Sequence, residues 1–200
     1  MSVLVALPNE LGIFFHKYKP RHETQDGRFI FREYLLYNRN WVVLCTGMGK
    51  EKAAEGTQRL IDRYHPAGII NPGFAGYTAE ELSVKNKVFL PRTITDLDEN
   101  LKPTGSITLP MESWNKWGIK LPYEDKPLLT SPKVVASSEE KYQLGVEHPG
   151  ALIDMESYAA AQVCQKAGTP YFSLRIVMDG ANRPLQINPT PLLDAQGQIR

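Results

Sequence analysis

The stretch from Trp41 to Gly76 limits what this 200-residue chain can become more than any other part of it. Trp41-Val42-Val43-Leu44-Cys45-Thr46 is short, apolar and rich in branched side chains, as a buried strand is. It stops at Gly47-Met48-Gly49. Beyond the glycines, Ala53, Ala54, Thr57, Leu60, Ile61 and Tyr64 recur at helical spacing on one face. His65-Pro66 closes that helix, because a residue before proline is held out of the helical region. Gly68-Ile69-Ile70-Asn71 is a second buried strand, running into Gly73-Phe74-Ala75-Gly76. Strand, glycine turn, helix and strand make a βαβ unit with parallel strands, which points to an α/β fold.

The same grammar recurs at both ends. Val3-Leu4-Val5-Ala6-Leu7 is a strand halted by Pro8-Asn9. Ala151-Leu152-Ile153-Asp154 leads into a helix that begins near Glu156 and Ser157 and stops at Gly168, with Pro170 just beyond. Tyr171 to Val177 is a further strand, with Met178-Asp179-Gly180 at its C-terminal end. Ligands of α/β sheets collect at the C-terminal ends of strands, so Asp179 stands where chemistry usually happens. Residues from about Lys102 to Lys126 show no clear period and are expected to form a long loop or flap. Length fits a single domain over residues 1–200. The tail after about 183, with Pro184, Pro189 and Pro191, is expected to be loosely packed or truncated.

Composition excludes several function classes. Lys+Arg 23 against Asp+Glu 22 leaves a net charge of +1, which gives no general attraction to nucleic acid or to an anionic membrane. Apolar runs reach about five residues, against the ~20 that a membrane-spanning helix needs. The first residues lack a signal peptide's basic start and long apolar run, and Cys45 and Cys164 sit apart in apolar surroundings as expected of reduced thiols. A cytoplasmic protein is the expectation. His16, His22, His65 and His148 have no ligand-like spacing, so no metal is expected. Thr46-Gly47-Met48-Gly49 lacks the third glycine of a dinucleotide fingerprint and the Gly-Lys-Ser/Thr of a phosphate loop, so no cofactor is expected either. That segment is either a tight turn or a set of amides facing an anion or a ribose. Ser137-Ser138 lacks a glycine elbow. Trp114 and Trp117 either anchor their loop to the core or stack on a base.

Three acids stand at element edges. Glu10 follows the first strand, Glu156 opens the late helix and Asp179 follows the last strand. Each alone is more often a cap or a surface charge, and Glu156 could simply favour the positive end of its helix. Together they occupy strand ends, which in a parallel sheet share one rim.

Four segments then resemble the nucleoside phosphorylase superfamily, and most closely its methylthioadenosine/S-adenosylhomocysteine nucleosidase-like branch. They are Ala6-Leu7-Pro8-Asn9-Glu10; Thr46-Gly47-Met48-Gly49-Lys50 through Ala53-Ala54 and on to Ile70-Asn71-Pro72-Gly73-Phe74-Ala75-Gly76; Ile153-Asp154-Met155-Glu156-Ser157; and Leu174-Arg175-Ile176-Val177-Met178-Asp179-Gly180-Ala181. Thr95-Asp96-Leu97-Asp98 and Ser137-Ser138-Glu139-Glu140-Lys141 fit weaker landmarks. The resemblance spans about Val3 to Asn182. It implies a three-layer α/β/α sandwich around a mixed central sheet and an enzyme that cleaves the N-glycosidic bond of a purine nucleoside. The nucleoside would be a 5′-modified adenosine or a futalosine-like compound.

Under that resemblance Met155 and Glu156 would bind the ribose, and Gly47, Phe74 and Ala75 would line the substrate site. Asp179 would face the purine at N7, Glu10 would activate water, and Arg175 would orient Glu10 or that water. The backbone near Val135 and Ala136 would hold the base. The partners implied are a small purine nucleoside and a second copy of the chain, as a dimer or a trimer of dimers, with the dimer adopted here. The sequence departs from the family where Phe74 replaces a small hydroxyl residue and Met178 replaces a serine, and no helix is recognisable after Asp179. Two alternatives stay open: a phosphorylase using phosphate, and a member that binds a nucleoside without turnover. Phosphorylases usually carry a Gly-Asp-Pro-x-Arg-like loop where this chain has Pro8-Asn9-Glu10-Leu11.

Overall fold

In the computed structural model, which describes residues 1–80, 83–84, 86–117 and 121–183, the βαβ unit is built as the sequence requires. The chain runs through β1 (Ser2–Val5), a 3-10 turn (Pro8–Leu11), α1 (Gly12–Lys17), β2 (His22–Asp26), β3 (Phe29–Leu36), β4 (Arg39–Cys45), α2 (Lys50–Tyr64) and β5 (Ile69–Tyr77). It continues through β6 (Thr93–Leu97), β7 (Pro103–Thr108), α3 (Glu112–Lys116), β8 (Leu128–Thr130), α4 (Ser138–Glu147), β9 (Leu152–Asp154), α5 (Ser157–Lys166) and β10 (Tyr171–Gly180). The strands form one mixed sheet in the order β2-β3-β4-β1-β5-β9-β8-β6-β7, with β10 on β5. α2 ends on His65, whose φ of 41° is a left-handed cap.

Side-chain alternation in the short strands shows how the layers arise. Leu128 and Leu152 join Ala160, Ala161 and Cys164 of α5 in the main core, while their neighbours Leu129 and Ile153 pack with Leu144 of α4. Successive strand residues face opposite sides, so α5 and α4 cover opposite faces of the sheet. This is the sandwich with a mixed sheet that the family resemblance implied.

Four local expectations are corrected. β5 does not end at Asn71 but continues through Gly73 and Gly76 to Tyr77, because β10 pairs with it along its whole length. β10 likewise runs past Val177, so Asp179 lies inside the strand beside a register shift. The segment from Lys102 to Lys126 is not simply a loop. Pro103 opens the edge strand β7, a position that tolerates proline, and Trp114 of α3 packs on Phe172 and Tyr123. Trp117 also stacks edge-on against Phe172, so both tryptophans anchor their segment. The sequence reading placed no element between residues 22 and 36. There the polar edge strand β2 pairs with β3 without a buried face of its own. The expectation for the tail after about 183 falls outside the described residues. No helix among the described residues is long and apolar enough to cross a membrane.

α2 packs on β4 through Gly56, where a Cβ would stand 2.6 Å from Thr46 Cγ2, 3.1 Å from Phe29 Cε1 and 3.3 Å from Leu44 Cδ2. Gly56→Ala would gain about 1 kcal/mol of helix propensity and lose about 1–3 kcal/mol to overpacking. Net destabilisation in a urea titration is the expected result, and a gain in midpoint would show that the helix can move off the sheet freely.

Candidate active site

The site begins at a window in the sheet. β10 occupies one edge of β5, and the opposite edge is shared: β1 pairs there with Ile69 and Ile70, and β9 with Gly76 and Tyr77. Residues 71–75 lie between those two pairings. Glu10, carried by the 3-10 turn that follows β1, reaches into this window. Its Oε2 accepts hydrogen bonds from the amides of Ala6 (2.7 Å) and Leu7 (2.9 Å), and its carboxylate also takes one from the Phe74 backbone. Gly73 makes the approach possible, because a Cβ there would be 2.6 Å from Glu10 Oε1 and 3.2 Å from Arg175 Nη1. Burial raises the Glu10 carboxyl above its ordinary value, against the lowering pull of the Leu7 amide and the Arg175 charge.

Arg175 is buried, and its hydrogen bonds are directed away from Glu10. Nη1 donates to the Asn71 carbonyl (2.6 Å) and the Leu174 carbonyl (2.9 Å). Nη2 donates to Asn71 Oδ1 (2.5 Å), Asp154 Oδ2 (2.7 Å) and Ser157 Oγ (2.6 Å). Its influence on Glu10 is therefore the field of a fixed positive charge. Asp154 completes the arrangement by accepting from Thr130 Oγ1 (2.8 Å) and from the Ser157 amide (3.2 Å) at the start of α5.

That last bond settles what Glu156 does. Asp154 serves the helix start, and Glu156 turns the other way, where its Oε1 accepts the Gly49 amide at 2.8 Å. Gly47 and Gly49 hold φ of 83° and 102°, which aims the turn between β4 and α2 at Glu156. Lys50, the first residue of α2, pins this turn to β6 through Asp96 Oδ1 (2.6 Å). Burial, then the nearby Asp154 and Glu10 charges, push the Glu156 carboxyl well above the usual carboxylate range.

Asp179 forms a second centre. It stands opposite Gly76 in the register of β5 and β10, three residues beyond Gly73, or roughly 10 Å along the strand. Its Oδ2 is ion-paired with Nζ of Lys141, a fully buried lysine of α4.

The structure thus gathers Glu10, Glu156 and Arg175 in one cluster and sets Asp179 along the strand from it. Met155 is half-buried beside Glu156. Phe74 is exposed, and Ala75 and Val135 are packed into the core, so those two can offer only backbone to a ligand. Ala136 lies in the backbone that leads to Ser137, the cap of α4. Sequence reasoning met Asn71 and Asp154 only inside the resembling segments and Lys141 only inside a weaker landmark, and gave none of them a role. Asn71 and Asp154 each sit within a strand run, the one place where a polar residue signals a buried partner.

A carboxyl whose pKa is raised on folding binds its proton more tightly in the folded state. Its contribution to stability is complete below the ordinary value near 4.5 and is lost as pH rises through the raised one. Glu156→Gln keeps an acceptor for Gly49 and removes this loss. Melting curves should show the variant gaining on the parent chain as pH rises from about 4.5 into the alkaline range. Parallel curves would mean that Glu156 is not desolvated as described.

The sequence profile of the phosphorylase superfamily matches residues 2–190. The 5′-methylthioadenosine/S-adenosylhomocysteine nucleosidase of Staphylococcus epidermidis is 25% identical over 97% of this chain and 92% of its own length. Among solved structures, the Helicobacter pylori nucleosidase of the same name superposes with a TM-score of 0.74 at 21% identity, covering 90% of this chain and 84% of that one. The futalosine hydrolase of the same organism superposes with a TM-score of 0.76 at 21% identity and the same coverage. These structural likenesses carry the fold. With the profile spanning nearly its whole length, the chain belongs to the phosphorylase superfamily.

Proposed function

We propose that this protein is a nucleosidase that hydrolyses the N-glycosidic bond of a purine nucleoside to free base and ribose derivative. The substrate class is a 5′-modified adenosine, such as methylthioadenosine or S-adenosylhomocysteine, or a futalosine-like compound. The names of its relatives support that class. The observation that carries the reading is the grouping of the acids: Glu10 over Gly73, Glu156 close enough to feel its charge, and Asp179 against Gly76, three residues or roughly 10 Å of backbone further along β5. That separation suits a ribose at one end and a purine at the other.

In this reading the ribose lies against Met155 and Glu156, with Glu156 accepting its 2′ and 3′ hydroxyls. Glycosidic cleavage builds positive charge on the sugar, and a carboxylate beneath it stabilises that charge. Glu10 takes the proton of the attacking water, and its burial makes it a stronger base than an exposed carboxylate. Arg175 keeps Asn71, Asp154 and the start of α5 in place and tempers the charge on Glu10. The backbone at Val135 and Ala136 and the Gly47 turn bound the base and sugar, with Phe74 and Ala75 on the β5 side.

Water rather than phosphate is supported by the fate of the amides near Glu10. Those of Ala6, Leu7 and Phe74, the donors that an oxyanion would need, already serve a carboxylate. Arg175 is committed to neutral and acidic partners inside the core. A homodimer in the cytoplasm completes the proposal, to be checked by analytical ultracentrifugation and cell fractionation.

A panel of nucleosides assayed for released base, with and without phosphate, tests the reaction. Release that needs no phosphate is expected. Release only with phosphate would make the chain a phosphorylase, and no release from any nucleoside would leave a binding protein. Glu156→Gln is expected to lower turnover of ribosides by roughly 10²-fold or more with the fold intact, since charge-assisted hydrogen bonds are worth about 1.5–3 kcal/mol each. Near-normal turnover would reject its role at the ribose. The acid limb of the kcat/KM profile should lie above the ordinary carboxylate range, because an ionised Glu156 is needed and its pKa is raised.

A further inference from the structure

Of the charged side chains on α4, one goes inward. Glu140 pairs with Lys133 and Glu147 with Lys102, both at the surface. Lys141 is 0% exposed and meets Asp179 across 38 residues of sequence. Taking an ammonium out of water costs several kcal/mol, and replacing such a pair by apolar groups is often neutral or stabilising. Packing alone would be served by leucine or methionine at this position. The helix is brought close for the purpose: a Cβ on Gly145 would stand 2.6 Å from the Thr78 carbonyl, so only glycine lets α4 settle against the end of β5. The pair lies over Gly76, whose missing side chain would be 3.5 Å from Lys141 Cε and 3.6 Å from Asp179 Oδ1.

This arrangement bears on the proton that a departing purine requires. A carboxylate facing an ammonium is stabilised in its charged form, and a charged carboxylate has no proton to give. Nζ of Lys141 carries the hydrogens of the pair and donates to Asp179 Oδ2. We propose that Lys141 is the proton reservoir behind Asp179, supplying through it the proton that the leaving purine accepts at N7. The proposal rests on the nucleosidase reading. In the step, the bond from C1′ to N9 breaks and its electron pair goes to the purine. N7 takes a proton from Asp179 as Asp179 takes one from Lys141 Nζ. The oxygen of water bonds to C1′, and the proton that water loses goes to Glu10. Lys141 is left as a neutral amine and Glu10 as a carboxylic acid, and solvent exchange restores both. Lys141 thus acts through Asp179 and also fixes the direction in which that carboxylate points.

Two measurements test this, one independent of turnover. The first is calorimetric binding of adenine and of 7-deazaadenine, which lacks the N7 acceptor. The parent chain should bind adenine about 10-fold tighter or more across neutral and mildly alkaline pH, the factor expected from one good hydrogen bond to a charged group, whereas Lys141→Met, whose Asp179 must take its proton from solvent, should lose the preference as pH rises. The second is hydrolysis of an adenine nucleoside against a nitrophenyl riboside, whose leaving group needs no proton. Lys141→Met should lose roughly 10²–10⁴-fold on the former, and at least ten times less on the latter. Lys141→Arg should recover part of the adenine preference. Lys141→Gln, which keeps a neutral donor for Asp179 but has no proton to transfer, guards against a Lys141→Met chain that fails to fold and should show the same two losses. A preference for adenine that survives in folded Lys141 variants, or equal losses on the two leaving groups, overturns the proposal. A parent chain that cleaves nothing yet shows the Lys141-dependent preference overturns the nucleosidase reading alone.

Discussion

The guanidinium of Arg175 is the interaction on which the rest of the site depends. It joins β10 to β5 through Asn71 and to the β9–α5 junction through Asp154 and Ser157. Each of these groups is buried, so removing the arginine would leave a carboxylate and several acceptors unserved. Breaking a buried pair in this way costs about 3–5 kcal/mol, more than the gain from any single surface pair. Neutral partners matter as much as the charge. Asn71 also donates to the Leu4 carbonyl at 2.6 Å and accepts from Tyr171 at 2.9 Å, so the network ties β1 to β5 and β10 as well.

The consequences reach Glu156 and Glu10 by different routes. Arg175 holds Asp154, Asp154 holds the start of α5, and Glu156 is thereby released from capping and meets the Gly49 amide. Glu10 is reached by charge alone. Its position is set by backbone amides and by the space over Gly73, both of which exist because β1 and β9 leave part of β5 uncovered. Two acids with raised proton affinity around one fixed cation suit a centre that stabilises positive charge and accepts a proton.

The second centre works on another principle. Asp179 and Lys141 form a paired unit at the end of the same strand, delivered by α4 from the opposite face to α5. Three residues of β5, roughly 10 Å of backbone, separate the two centres. Phe74 and Met178, where the chain departs from the resembling motifs, are both exposed.

Local sequence by itself determined the βαβ unit, the helix ends at His65 and Gly168, and the position of Glu10 and Glu156 just beyond β1 and β9. Those are matters of period, proline and glycine, which act over a few residues. It also carried the family, because the motifs around Glu10, Gly73, Glu156 and Asp179 are contiguous. Tertiary structure alone decided the rest. Arg175 finds Asn71 104 residues away, and nothing near either residue announces the other. Glu139, Glu140 and Lys141 stand side by side in the sequence, and only the packing of α4 shows that the lysine is buried against Asp179 while Glu139 stays exposed. The continuation of β5 through its glycines was invisible for the same reason: a strand that looks broken by local propensity is held straight by its partner β10.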